Sequence, residues 1–294
     1  MPAKTSGRRG GAYCGYPEKF VLAVGSAPGP TFRVPGTTSF TEKLAARIEE
    51  TGSRLCIGLD PRPERHGDSV AEVETFLREV IEATADHAAA FKPNSAYFEA
   101  LGSEGVAMLE QVVDLIPDEI PVIMDVKRSD IGETQRRYAI ACFERFGADA
   151  ATLNPFMGYD SIEPFLDWEG KGVYLLALTS NPGSADLQRQ MIGVEPIYAA
   201  IGRMAQRARD EGRATDVGLV VGLTNADGDV LKNLPDVPLL IPGLGAQGGD
   251  LGALQGGTRK APVVVNVSRG VLYGENAPGV EAARYAQEIA KVLC

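Results

Sequence analysis

The chain has 294 residues, 44% of them hydrophobic and 23% charged, a composition that suits one large globular domain or two small ones. No apolar run approaches the roughly 20 residues that span a membrane, so we expect no membrane partner. The formal net charge of −10 argues against nucleic acid as the main partner, but a small phosphorylated ligand could still bind in a local basic pocket.

The first 38 residues differ in composition from the rest of the chain. They contain 7 Gly and 5 Pro, and their five basic residues face a single acidic one, Glu18. We therefore predict a flexible Gly/Pro-rich tail over residues 1–38, which would come from a misassigned start or serve as a transit sequence. Residues 39–294 are predicted to form one folded domain.

Cysteine and histidine usage bears on the compartment and on cofactors. The four cysteines are widely scattered and form no CxxC pair, which favours reduced thiols in the cytoplasm over a disulfide framework. The chain has two histidines and no HExxH motif, so we expect no histidine-based metal site.

From residue 39 onward, short apolar runs alternate with longer amphipathic stretches. Such near-continuous runs are typical of parallel strands buried on both faces. The runs cover 54–60, 89–93, 121–127, 148–154, 172–179, 216–222, 238–243 and 262–269. Eight βα units in this length predict a (β/α)8 TIM barrel in a single domain, because a doubly wound sheet would have to be unusually wide. A helix over 41–51 would close the bottom of the barrel.

Charged and polar residues stand where the predicted strands end. Charged groups are costly inside a barrel unless they are paired, and barrel enzymes place their chemistry at the carboxyl ends of the strands. Solvated strand ends without chemistry are the alternative. The residues concerned are Asp60, Lys92, Asn94, Asp125, Lys127, Asn154, Thr179, Ser180 and Arg269.

The densest charged cluster follows the third predicted strand, in the sequence MDVKRSDIGET. Asp125 and Lys127 are two residues apart on a strand and so point to the same side. Asp130 follows in the loop, and Lys92 ends the neighbouring strand. An alternating Lys–Asp–Lys–Asp array would keep both lysines protonated despite partial burial. An ion-pair network that merely tethers the loop would show the same pattern.

A glycine-rich loop, GLGAQGG, follows the seventh predicted strand at 243–249. It matches GxGxxG, but a dinucleotide site needs this motif in the first βα turn with an acidic residue about 20 positions later. Here the next strand ends in Arg269. Barrel phosphate sites are commonly built after strands seven and eight, so glycine N–H groups and Arg269 predict phosphate binding.

The DxKxxDIGxT motif, together with FKPN at 91–94, resembles the orotidine 5′-phosphate decarboxylase family. The chain is most similar to a bacterial branch that carries MDxKRxDIGxT and an SNPG segment after the fifth strand. The resemblance covers roughly residues 39–294. It implies an enzyme of pyrimidine biosynthesis that converts orotidine 5′-phosphate (OMP) to UMP and CO2 without a metal or organic cofactor, as a homodimer with shared active sites.

Carried over residue by residue, the resemblance implies a role for each member of the cluster. Lys127 would donate a proton to the carbanion at C6 of the pyrimidine, Asp125 would face the departing carboxylate, and Lys92 would bridge the ribose and the array. Asp130 and Thr134 would complete the partner subunit's site. The implied substrate contacts are Asp60 to the ribose, Ser180 to the pyrimidine amide, and Gln247 and Arg269 to the phosphate.

Two other functions stay open. A related barrel could act on a keto-sugar phosphate through an enediolate, with Mg²⁺ held by acidic residues of the first three strands. A non-catalytic barrel could bind a nucleotide without changing it. The polar stretch over 181–193 could form a second lid or be an inert surface excursion.

Overall fold

The structure, a computed structural model, describes residues 36–222, 224, 228–244, 252 and 259–293. Within these residues eight parallel strands form one sheet, and two short antiparallel strands form a separate hairpin. In chain order the strands are β1 (Leu55–Leu59), β2 (Ala90–Pro93), β3 (Ile123–Arg128), β4 (Ala150–Leu153), β5 (Gly172–Leu178), β6 (Met191–Ile192), β7 (Glu195–Pro196), β8 (Asp216–Val221), β9 (Leu239–Pro242) and β10 (Val263–Val267).

The eight-stranded sheet curls until its two edge strands meet. Its order is β2-β1-β10-β9-β8-β5-β4-β3, and parallel bridges join Phe91 to Val122 and Asn94 to Asp125 across the remaining gap between β2 and β3. Each predicted apolar run overlaps one strand of this sheet, and β3 extends one residue beyond its run, to Arg128. The predicted TIM barrel is thus confirmed, with β6 and β7 as an unpredicted hairpin inside the connection from β5 to β8.

Helices precede β1, connect successive strands and follow β10. They are α1 (Phe40–Thr51), α2 (Val70–Thr84), α3 (Ser95–Glu99), α4 (Gly102–Asp114), α5 (Gly132–Ile140), α6 (Tyr159–Ile162), α7 (Ser184–Leu187), α8 (Ile197–Asp210), α9 (Gly228–Lys232), α10 (Arg269–Leu272) and α11 (Pro278–Leu293). A π-helical turn, Ala141–Arg145, continues α5. None of the helices in the described ranges is long and apolar enough to cross a membrane.

Helix α1 closes the amino end of the barrel, as the sequence predicts. Ser39 and Glu42 form a capping box that begins the helix. Phe40 and Leu44 are buried in one cluster with inward-facing strand residues. The Phe40 ring lies edge-on to Tyr174, 5.8 Å between centroids, and against Gly172, where a Cβ atom would lie 2.4 Å from it. Glycine at 172 therefore makes room for the ring.

Inward-facing residues change character from the amino to the carboxyl end of the strands. Near α1 they are small or apolar, for example Cys56, Ala90 and Ala150. Two residues further along the same or adjacent strands, the inward positions are polar or charged, among them Lys92 and Thr152. Since strand side chains alternate with a period of two, the polar set forms the upper layer of the barrel interior.

The predicted tail falls almost entirely outside the described residues. Of residues 1–38, the structure describes Gly36, Thr37 and Thr38, all exposed just before the cap of α1. The tail and its boundary with the domain at residues 38 and 39 stay predictions.

Candidate active site

A cavity of about 660 Å³ opens at the carboxyl ends of the barrel strands. This volume is typical of small-molecule sites. The structure brings six of the predicted site residues to its wall, which are Asp60, Lys92, Asp125, Lys127, Ser180 and Arg269. These six residues therefore lie around one cavity, while the roles predicted for them stay predictions.

Asp125 lies at the floor of the cavity between two lysines. Its Oδ2 accepts from Nζ of Lys92 at 2.6 Å, and its Oδ1 accepts from Nζ of Lys127 at 2.5 Å. The Lys92 and Asp125 side chains are only 5% and 10% exposed, whereas Lys127 is 49% exposed toward the cavity mouth. Both carboxylate oxygens are thus occupied by ammonium groups, and one of the two ammoniums stays accessible to a ligand.

The charges of this cluster fix the protonation of its buried members. Burial acts to raise the pKa of the Asp125 carboxyl, but the ammoniums of Lys92 and Lys127 hold that pKa below its usual range. Burial acts to lower the pKa of Lys92, but the carboxylates of Asp125 and Asp60 raise it above its usual range. Asp125 is therefore anionic and Lys92 cationic at neutral pH. Just below them, burial raises the pKa of the Cys56 thiol to about 12, so Cys56 adds no charge.

The backbone at Lys127 is unusual. Its φ of 45° lies in the left-handed region, which non-glycine residues rarely occupy. The register of β3 against β4 shifts between Met124 and Arg128, so regular strand alternation ends before Lys127. Sequence alternation predicted that Asp125 and Lys127 meet; they do, but through a bulge instead of a regular strand. The Thr152 hydroxyl on β4 accepts hydrogen bonds from the N–H groups of Val126 and Lys127 at this bulge.

Asp60, Asn266 and Ser268, at the carboxyl ends of β1 and β10, line the cavity beside the charged cluster. Within the described residues, Asp60 Oδ1, Asn266 Oδ1 and Ser268 Oγ are buried without a hydrogen-bond partner. At Gly58, between these strands, a Cβ atom would lie 2.7 Å from Cβ of Ser268, so glycine allows β1 and β10 to approach. Unpaired buried oxygens are costly, so each of these atoms marks a place where a hydrogen-bond partner is expected.

Ser180 lies where the chain leaves β5 for the connection that contains α7, β6 and β7. A Cβ atom on Gly222 would lie 2.5 Å from the Ser180 nitrogen, so glycine at 222 lets the two backbones touch. Gln188 anchors the connection, because its Oε1 accepts from the Thr179 N–H at 2.7 Å and its amide donates to the Thr179 hydroxyl at 3.0 Å. Gln188 also lines the cavity. The stretch over 181–193 is thus part of the cavity wall.

Arg269 is exposed at the first position of α10, which follows the carboxyl end of β10. A second cation, Arg62, lines the same cavity from the loop after β1. The Arg62 N–H donates to the Tyr273 hydroxyl at 2.7 Å, which ties this loop to the end of α10. Gln247, the other predicted phosphate ligand, lies outside the described residues.

Asp130 and Thr134 do not line the cavity of their own chain as described. Asp130 Oδ1 accepts from the neighbouring Ile131 N–H at 2.8 Å, and Thr134 is exposed on the first turn of α5. That Asp130 and Thr134 complete the partner subunit's site stays a prediction.

Sequence reasoning missed several cavity residues, namely Arg62, Thr152, Gln188, Asn266 and Ser268. Strand parity could have found two of them. Thr152 is two residues beyond inward-facing Ala150, and Asn266 is two beyond inward-facing Val264. Arg62 and Gln188 lie in irregular connections, where periodicity gives no direction.

Comparison with known proteins identifies the family. The profile of the Orotidine 5′-phosphate decarboxylase / HUMPS family matches residues 53–285. An orotidine 5′-phosphate decarboxylase of Verminephrobacter eiseniae is 46% identical over 263 residues, or 84% of this chain and 94% of that protein. The solved OMP decarboxylase of Leishmania donovani is 37% identical with a TM-score of 0.78, covering 87% of this chain and 99% of that one. The Leishmania donovani UMP synthase is 39% identical with a TM-score of 0.80, and this chain spans 57% of it. The chain belongs to the orotidine 5′-phosphate decarboxylase / HUMPS family and is a carboxy-lyase.

Proposed function

We propose that the chain converts OMP to UMP and CO2, with Lys127 as the proton donor to C6 of the pyrimidine. The observation that carries the proposal is the Asp125 carboxylate held between the ammoniums of Lys92 and Lys127 on the cavity floor. Family membership supplies the reaction class, and this cluster supplies the groups that a cofactor-free decarboxylation needs.

The reaction needs a group that stabilises the negative charge that appears on C6 of the pyrimidine. With the substrate carboxylate above Asp125, two anions face each other before bond cleavage. When the C6–carboxylate bond breaks, CO2 leaves and the electron pair stays on C6, where the Lys127 ammonium stabilises it and then transfers a proton to it. Water afterwards returns a proton to the Lys127 amine. Lys92 stays protonated throughout, because its pKa is held above the usual range.

The remaining wall of the cavity suits the other parts of OMP. The Asp60 carboxylate on the cavity wall can accept a hydrogen bond from a ribose hydroxyl, and Ser180 can contact the pyrimidine amide. The Arg269 guanidinium can form a bidentate hydrogen-bonded contact with the phosphate, and Arg62 is a further cation lining the same cavity. Gln247 is proposed as a phosphate ligand from the family resemblance alone.

We propose a homodimer in which Asp130 and Thr134 reach the partner subunit's site. Three large apolar side chains near them are exposed, Ile131 at 55%, Phe156 at 72% and Met157 at 48%. They follow the carboxyl ends of β3 and β4. An exposed apolar group beside functional residues favours burial against a second subunit, and symmetric dimers are the commonest assembly.

The alternative enediolate reaction depends on Mg²⁺ bound by acidic side chains. Asp125 is a poor ligand for a cation as it stands, because each of its oxygens already accepts from a lysine.

The proposed product, UMP, assigns the enzyme to pyrimidine biosynthesis. Cys56 and Cys142 are free thiols in the described part of the chain, which supports a cytoplasmic location.

An absorbance assay with OMP tests substrate, reaction and metal dependence together. We expect the ultraviolet absorbance of the orotate ring to fall as UMP forms, at the same rate with and without EDTA. Loss of activity in EDTA with recovery on adding Mg²⁺ would favour the enediolate enzyme. Tight binding of OMP or UMP without any absorbance change would indicate a non-catalytic nucleotide-binding barrel.

A further inference from the structure

The hydroxyl of Thr152 connects the parts of the charged cluster. Thr152 lies in β4 and is 1% exposed. Its Oγ1 accepts from the Val126 N–H at 3.1 Å and from the Lys127 N–H at 3.0 Å, and it donates to Oδ1 of Asp125 at 3.0 Å. A hydroxyl has one donor and two acceptor positions, so this geometry uses all three.

These hydrogen bonds occur where the β-sheet ladder is interrupted. Met124 pairs with Ala151 and Arg128 pairs with Leu153, so β3 advances four residues while β4 advances two. The N–H groups of the extra residues need another acceptor, because a buried N–H without one is costly. Thr152 supplies it with a side chain, and the bulge so held carries Lys127 at positive φ.

The same hydroxyl therefore acts on Lys127 at two places, directly at its backbone and through Asp125 at the tip of its side chain. At the backbone it holds the Lys127 N–H, and at the tip it shares Oδ1 of Asp125 with Nζ of Lys127. Rotation of the Asp125 carboxylate or relaxation of the bulge would each displace the ammonium.

We infer that Thr152 is a positioning residue for decarboxylation, which sets where the Lys127 ammonium stands above the reacting carbon. The inference rests on the proposed role of Lys127. Misplacing a reacting group by about 1 Å can cost about a hundredfold in rate, while contacts to the remote phosphate and ribose stay unchanged. Loss of the hydroxyl should therefore affect kcat far more than substrate binding.

The test compares Thr152→Val with Thr152→Ser in OMP decarboxylation. Valine keeps the shape and removes the hydroxyl, whereas serine keeps the hydroxyl. We expect Thr152→Val to lower kcat by about 10- to 100-fold while KM for OMP and Kd for UMP change by less than about threefold. Thr152→Ser should keep kcat within about threefold of wild type.

Thr215→Val is the matched control. Thr215 is also buried, and its hydroxyl bonds the N–H and the carbonyl of Trp168, both at 2.9 Å, at the amino end of the barrel. This variant should lose stability but keep kcat. Should Thr152→Val not fold, Thr152→Cys gives the same comparison with a thiol that is a weak donor and acceptor.

Two kinetic results would overturn the inference. One is a Thr152→Val enzyme with kcat within twofold of wild type; the other is a Thr152→Ser enzyme as slow as the valine variant. A crystal structure of Thr152→Val gives a readout that needs no turnover. We expect Lys127 to leave positive φ and its Nζ to move away from Asp125, and unchanged geometry would contradict the inference. A wild-type chain without OMP turnover would contradict the proposed function and not this geometry.

Discussion

Lys127 combines backbone strain with a reactive side chain. A non-glycine residue at positive φ costs of order 1–3 kcal/mol, and such strain persists where surrounding contacts hold it. Here the Thr152 hydroxyl and the Asp125 carboxylate hold both ends of the residue. Sequence spacing predicted the pair of Asp125 and Lys127, because that prediction needs only two oppositely charged residues two positions apart on a strand. The bulge depends on hydrogen bonds to a neighbouring strand, so local sequence did not predict it.

Replacing Lys127 tests its role as proton donor. We expect Lys127→Ala to remain folded and to lower kcat for OMP by at least about a thousandfold, because charge stabilisation and proton transfer are both lost. Steady-state absorbance kinetics measure the loss. Lys232→Ala is the control, since Lys232 is an exposed lysine on α9. Near-normal turnover by Lys127→Ala would refute the assigned role.

Asp125 also stabilises the fold, and pH reveals it. Its pKa lies below the usual value, so its ionised form stabilises the protein above about pH 3.9, and this contribution is lost as pH falls below that. We expect Asp125→Asn to lower the free energy of unfolding by about 3–5 kcal/mol at neutral pH, because Lys92 is left buried without its main counter-ion. Urea unfolding should show this deficit shrinking as pH is lowered from about 5 to about 2.

A second variant separates the ion pair from packing at this position. Lys92→Met/Asp125→Asn removes both charges and should be more stable than Asp125→Asn alone, because no unpaired charge remains buried. Asp229→Asn, at an exposed ion pair on α9, should change stability by less than about 0.5 kcal/mol. A double variant no more stable than the single one would contradict the electrostatic explanation.

At the scale of elements, sequence predicted the barrel strands well and the connections poorly. The eight strands are buried on both faces, so their composition is nearly uniform and their ends fall within two residues of the predicted bounds. The connection from β5 to β8 contains a hairpin anchored by Gln188 and Thr179. That anchor depends on a side chain reaching nine residues back, which no periodic pattern reports.

Helix α1 should contribute stability without taking part in catalysis. Leu44 is completely buried at the amino end of the barrel. We expect Leu44→Ala to lower the free energy of unfolding by about 3 kcal/mol through the cavity it leaves, with kcat and KM unchanged. Urea unfolding and OMP assays measure both effects. Glu49→Ala, on the exposed face of α1, should leave both quantities unchanged, and a Leu44→Ala enzyme with altered kcat would show that α1 influences the site.

At the scale of the whole molecule, the question is whether one chain makes a complete site. Asp60, Lys92, Asp125, Lys127, Ser180 and Arg269 line one cavity of a single chain. Asp130 and Thr134 stand outside it, and their place in the site of a partner subunit is a proposal. The family resemblance implies this arrangement; composition and periodicity could not predict it, because a contact between subunits leaves no period in the sequence.

Mixing two inactive variants tests the shared site. Lys127→Ala and Asp130→Ala dimers should each be nearly inactive. After subunit exchange, one of the two sites in each hybrid dimer has both native residues, so about a quarter of wild-type activity should return. Mixing Lys127→Ala with Lys127→Ala/Asp130→Ala is the control, since no hybrid site then contains Lys127. Mass spectrometry checks that the subunits have exchanged. If they have and no activity returns, the result argues against a shared active site.

The burial of Phe40 and Leu44 at the amino end of the barrel restricts the routes by which substrate and products can move. Phe40 and Leu44 pack among the inward-facing strand residues and fill the amino end of the described barrel beneath the charged cluster. If the chain decarboxylates OMP as proposed, then OMP, UMP, CO2 and the water that reprotonates Lys127 all pass through the opening at the carboxyl ends of the strands.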